Sequence, residues 1–161
     1  MENDEHYAKL GLLLGNLHGL EFALRAFLSK RNSDSEPVVD FKRATEGDWV
    51  EINSFTNYDS LRKLVDTFNH IVEDSNPEAV IDTSVVTIRD ALAHGRIAGQ
   101  AASFPMTLLK FGAPKDNKVQ IITEVVMDHA WFKTTVNLLY EQISKVYGAS
   151  QSFGMEIMEI V

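Results

Sequence analysis

Between about Glu5 and Lys30, apolar residues recur at intervals of three and four, through Tyr7, Leu10, Leu14, Leu17, Leu20 or Phe22, Leu24 and Phe27/Leu28. That spacing repeats one face of a helix, so it predicts a long amphipathic helix whose stripe must be buried against other elements. Asn32 through Pro37 ends it. A second stripe on the same helix, Gly11, Gly15, His18, Phe22 and Arg25, is small and then polar or aromatic. Small residues four apart let another helix come close, from this chain or a second copy, with His18 packed beside the glycines.

Residues 32–58 form a long connection for a compact domain and are a candidate flap. Val50 and Ile52 alternate with Glu51 and Asn53, which predicts a short strand near Trp49. Asn57 or Asp59 is then expected to cap a helix carrying Leu61, Leu64, Val65, Phe68 and Ile71 to about Glu73. Asn76, with Pro77 in the first turn, is expected to cap the next, through Val80, Ile81, Val85, Ile88 and Leu92 to His94, where Gly95 stops it. Thr107–Phe111 and Val119–Val125 flank a turn-rich linker, 112–118, and predict a β-hairpin. Asp128 is expected to cap a last long helix with Trp131, Phe132, Val136, Leu138, Leu139, Ile143 and Val146, closed by Gly148, and the apolar tail 149–161 to pack. The pattern predicts a mainly α fold: an up-and-down helical bundle of four to five helices, with a small β-hairpin inserted before the last long helix. One domain over residues 1–161 suits the length.

Composition narrows the chemistry. With no cysteine there is no disulfide framework, thiolate zinc site or cysteine nucleophile, which fits a cytoplasmic protein. The acidic start, Met-Glu-Asn-Asp-Glu-His, lacks the features of a secretory signal, and no apolar run reaches the roughly 18 to 20 residues needed to span a bilayer. No membrane role is expected. A net charge of −8 argues against broad attraction to nucleic acid, although Lys30-Arg31, Lys42-Arg43 and Arg62-Lys63 are locally basic. The histidines His6, His18, His70, His94 and His129 include no pair at helical metal-ligand spacing beside an acid. Neither a metal nor a cofactor is expected, and no phosphate-cradling glycine loop or Gly-x-Ser-x-Gly elbow is present.

Chemistry concentrates in Thr87-Ile-Arg-Asp-Ala-Leu-Ala-His-Gly-Arg-Ile97. Asp90 and His94 lie one turn apart on one helix face, so the carboxylate can orient the imidazole and favour its charged form. The helix carboxyl end also stabilises a cation at His94, which tunes it for acid–base work. Arg89 lies about 140° around the helix from His94, so two copies across a two-fold axis aim both cations at one phosphate more easily than one copy does. A charged Arg89 would stabilise a phosphorane. The plainer alternative is a salt bridge and cap at a helix end.

Arg89, Asp90 and then Ala-Leu-Ala-His94-Gly95 resemble the Arg-polar-x-x-x-His signature of the HEPN superfamily of small helical proteins. Leu20-Glu21-Phe-Ala-Leu-Arg25-Ala-Phe-Leu28 in the first helix, the hairpin after Ala-His-Gly, and Asp128-His-Ala-Trp131-Phe132 opening the last helix are similar to stand-alone prokaryotic members. The resemblance implies a homodimer whose paired motifs line a cleft. It also implies a metal-independent endoribonuclease of toxin or anti-phage defence type, using the RNA 2′-hydroxyl as nucleophile. Arg89 and His94 would be the catalytic pair and Asp90 the orienting residue. Glu21 and Arg25 would line the cleft or form a surface ion pair. Where one branch has a modifiable tyrosine two places after the histidine, this chain has Arg96, a candidate phosphate contact. The superfamily also includes catalytically silent modules that bind a nucleotide, RNA or a protein partner such as an antitoxin or operon neighbour. That is the alternative function.

Overall fold

The computed structural model describes residues 2–32, 43–98 and 105–157, with side chains from Asp4 onward. In order, the elements are α1 (Glu2–Arg31), α2 (Leu61–Val72), a single 3-10 turn (Pro77–Ala79), α3 (Ser84–His94), β1 (Arg96–Ala98), β2 (Met106–Phe111), β3 (Ile121–Met127) and α4 (His129–Ser152). The protein is mainly helical, with four α-helices and a small three-stranded antiparallel sheet ordered β1-β2-β3 among the described residues. The expected hairpin is β2–β3, and β1 is an addition to it. Its turn is set by Asp116 and Asn117, both with positive φ (50° and 57°), while Lys115 and Lys118 exchange backbone bonds of 2.8 and 2.9 Å. Short polar side chains tolerate that left-handed backbone, which matches strand twist in a two-residue hairpin turn.

The chain contacts divide into two compact units, each discontinuous in sequence: Met1–Leu17 with Thr83–Tyr140, and His18–Asp82 with Glu141–Val161. In the first, Leu13, Leu17, Val85, Val86, Ala91, Leu108, Met127, Phe132 and Leu139 are buried. The second is built around Phe27, whose ring meets Phe68 and Phe153 edge-on at 4.8 and 5.8 Å. Leu20, Leu24, Leu61, Leu64, Val65 and Ile81 are buried with it.

Several boundaries and faces differ from the sequence expectation, each for a local reason. In the first half of α1, Leu13, Leu17 and Leu20 are buried while Tyr7 and Leu14 are exposed. Three consecutive leucines, Leu12 to Leu14, let either face satisfy the periodicity. His18 is exposed beside Gly15 instead of packed. No strand forms near Trp49: Val50 and Ile52 are exposed, and among the described residues no strand pairs with them. The α2 cap is Ser60, not Asn57 or Asp59: its Oγ accepts the Lys63 N–H at 3.3 Å, while Asn57 caps the preceding turn by accepting from the Asp59 N–H. Gly148 lies inside α4, and the chain leaves the helix near Gly154, whose φ is +67°. The tail therefore begins in helix, with Ala149 and Ser150 buried; 158–161, like 33–42 of the candidate flap, lie outside the described residues.

The helix expected from Asn76 to His94 is broken at Val80–Thr83. Asn69 replaces its backbone ladder there, accepting the Ile81 N–H at 2.7 Å and donating to the Ile81 carbonyl at 2.9 Å. Gln142 Oε1 accepts the Asp82 N–H at 2.9 Å, and Lys145 donates to the Val80 carbonyl at 3.1 Å. These partners satisfy peptide groups that the bend takes out of the helical ladder, those of buried Ile81 above all. Asn69→Ala orphans both groups of buried Ile81, and stability is expected to fall by about 3 kcal/mol, read by urea unfolding. A loss under about 0.5 kcal/mol would mean that water replaces the amide.

Candidate functional site

Helix α3 is short and buries Val85, Val86 and Ala91, which leaves Arg89 and Asp90 part-exposed and His94 exposed in its last turn. Gly95 follows with its N–H on the Ala91 carbonyl at 2.7 Å and an extended backbone (φ −77°, ψ 178°) that leads directly into β1. Arg96, the first residue of β1, is set opposite Leu109. Its guanidinium reaches back to donate to the Gly95 and His94 carbonyls at 3.2 and 3.3 Å. The second half of α3 and the first residue of β1 thus carry Arg89, Asp90, His94 and Arg96.

Within this group, Asp90 forms its ion pair with Arg89, at 3.5 Å, and not with His94. At 42% and 38% side-chain exposure the pair is solvated, and such pairs contribute little to stability. The His94 ring makes no hydrogen bond among the described residues, so both its nitrogens are uncommitted there. The offset of about 140° between Arg89 and His94 is retained because α3 is regular through both. In one copy, therefore, the Arg89 guanidinium and the His94 imidazole sit on different sides of the helix.

Glu21 and Arg25 belong to the other compact unit and are brought together there. Arg25 donates through Nε and one terminal nitrogen to Glu21 Oε1 at 3.1 and 2.9 Å. Its remaining bonds run to the Asn57 carbonyl and side-chain oxygen, both at 2.9 Å, and to the Asp59 carbonyl at 2.7 Å. Every guanidinium nitrogen is engaged, and the residue clasps the turn before α2. Asn53 orders the same turn from within, its Oδ1 accepting the Phe55 and Thr56 N–H groups. Trp49 and Tyr58 project from this connection almost wholly into solvent.

A cluster that the sequence expectation missed joins the start of α1 to the start of α4. Lys9 donates to Glu5 at 2.7 Å and meets His129 Nδ1, which lies 3.6 Å from the same carboxylate. The Lys9 hydrogen bond, then its charge, hold the Glu5 carboxyl below its usual range. Glu5 and Lys9 are legible as a one-turn pair, but nothing local announces a histidine 120 positions from Lys9. Directly after Glu5, His6 is 1% exposed, edge-on to Phe132 at 5.3 Å.

Burial, then the nearby Lys9 charge, push the His6 pKa below the ordinary 6.5. The unfolded chain then takes up a proton before the folded chain does, so stability is full above about 6.5 and declines as pH falls from there through the lowered folded value. The urea midpoint is expected to drop over that window in the native chain and less in His6→Leu, which has no ring to protonate. Equal pH dependence in the two would remove His6 as the cause.

Compared with known proteins, the chain matches no family model, no curated protein and no solved structure.

Proposed function

We propose that this chain is a HEPN-like homodimer acting as a metal-independent endoribonuclease in the cytoplasm, in a toxin or anti-phage defence role, with its helices forming one up-and-down bundle. The observation that carries the reading is the α3 terminus: an uncommitted, exposed His94 ring that follows the Arg89–Asp90 pair on the Arg-polar-x-x-x-His spacing, with the Arg96 guanidinium on the His94 backbone carbonyl. In the reaction, the RNA 2′-oxygen bonds to phosphorus as the bond to the 5′-oxygen breaks. One proton leaves the 2′-hydroxyl and one reaches the departing 5′-oxygen, and imidazole suits both transfers near neutral pH. Arg89 offsets the charge on the phosphorane, and Arg96 holds a neighbouring phosphate.

Pairing of two copies is supported by one face of α1, where Tyr7, Gly11, Leu14 or Gly15, and His18 recur at four and three and are all exposed. A methyl built on Gly11 or Gly15 meets nothing within 4 Å. Two copies supply the second cation set that the 140° offset demands.

The test is total RNA incubated with purified protein in chelator, wild type beside Arg89→Ala. Cleavage by the wild type, lost in the variant, supports the enzyme. A second reading, a silent module binding a nucleotide, RNA or an antitoxin-like protein, is favoured by one observation: Asp90 pairs with Arg89 and leaves the imidazole unoriented. RNA retention without cleavage in the same experiment supports that reading instead.

A further inference from the structure

The sheet has one face that is buried at Leu108 and Met127 and one that is apolar yet exposed. Antiparallel partners share a face, so the rows Ile97–Leu108–Val125 and Met106–Met127 form one side, with Leu108 and Met127 fully buried. The other side carries the rows Ala98–Thr107–Val126, Arg96–Leu109–Glu124 and Phe111–Ile121. Val126, Ile121 and Phe111 there are 49%, 51% and 38% exposed. A sheet with one face in water ordinarily alternates apolar inward with polar outward. Here the outward side is apolar along its centre, with a single charge at each edge of the middle row.

We propose that this outer face is a self-association surface, on which a second copy of the chain packs sheet to sheet. The charges choose the occupant. A two-fold axis laid along β2, between the facing sheets, carries Arg96 at one edge over Glu124 of the other copy, and does so twice. The same operation stacks Leu109 and Phe111 on their counterparts across the roughly 10 Å that separates packed sheets. A foreign partner would have to bring opposite charges at that spacing; a second copy already carries them. Arg96 is exposed and its bonds to Gly95 and His94 are long, so its side chain is free to turn outward. The surface is built on the sheet alone and shares one residue, Arg96, with the phosphate contact of the proposed function.

The experiment is sedimentation velocity over a dilution series at low salt, on wild type, Glu124→Arg, Arg96→Glu and the double reversal. Each single reversal sets like charges opposite each other twice and is expected to weaken association by roughly tenfold or more, while the double reversal restores it. Restoration also shows that the single variants had not simply misfolded. Val126→Asp is expected to remove the association through the sheet, because it would bury unpaired charge there, and to leave pairing through α1 in place. A wild type that stays monomeric, single reversals without effect, or a double reversal that fails to recover each overturns the proposal. Pairing through α1 leaves all the variants alike, so the failure of this surface is distinguishable from the failure of the proposed function.

Discussion

Under the proposed ribonuclease function, replacing His94 by alanine is expected to slow RNA cleavage by about 10² to 10⁴-fold while leaving the protein folded. The two halves of that expectation come from the same local facts. The ring is exposed and makes no hydrogen bond among the described residues, so its removal opens no cavity and orphans no buried group. Stability should change by no more than about 0.5 kcal/mol, the ordinary range for a surface substitution. Any larger loss of rate then reports proton transfer and not architecture. Single-turnover cleavage of an RNA substrate, with thermal unfolding of the same preparation, checks both. Unchanged cleavage in the variant would remove His94 from the chemistry. Loss of cleavage with a lowered midpoint would assign it a structural role.

Gly95→Ala is expected to have the opposite signature, a loss of stability of about 3 kcal/mol or more, measurable without RNA. The glycine is not required by its backbone angles, which any residue adopts. It is required by proximity: a methyl there would stand 2.3 Å from the Ala91 carbonyl oxygen, 2.6 Å from Leu108 Cδ1 and 3.0 Å from the Leu109 carbonyl oxygen. Two of those three atoms are backbone, so a rotamer change relieves only one contact. Relief means prising the end of α3 away from β2, which moves His94 and Arg96 with it. Urea unfolding is expected to show a lower midpoint, and an unchanged midpoint would show that the junction yields at little cost.

Sequence legibility followed the range of the forces involved. Spacing announced all four α-helices, because each carries a stripe that must be buried somewhere. Asp128 was legible as the α4 cap because a cap is a bond between near neighbours, here 2.7 Å from its oxygen to the Trp131 N–H. The α3 break was not legible, since it depends on an amide twelve residues earlier at Asn69 and another sixty residues later at Gln142. Strand β1 was missed because three residues are too short for periodicity, and its pairing with β2 defines it. At the candidate site, the order of Arg89, Asp90, His94 and Arg96 along α3 and β1 was readable. The preference of Asp90 for Arg89 was not, because a flexible guanidinium and the ring one turn away compete for the same carboxylate. Glu21 and Arg25 were readable as a one-turn pair, but their engagement with Asn57 and Asp59 rests on the path of the loop.

Both compact units are stitched from two separate stretches of chain, with α1 and α4 each contributing to both. Neither unit can be excised as a continuous fragment. The first gains its last stretch only when Tyr140 has been added, and the second draws on everything from Glu141 onward. During synthesis at roughly 5 to 20 residues per second, most of α1 must wait outside the ribosome, apolar stripe exposed, for partners still being made. A nascent chain halted before Tyr140 holds neither unit whole, so the first sites for chaperones to guard are in α1.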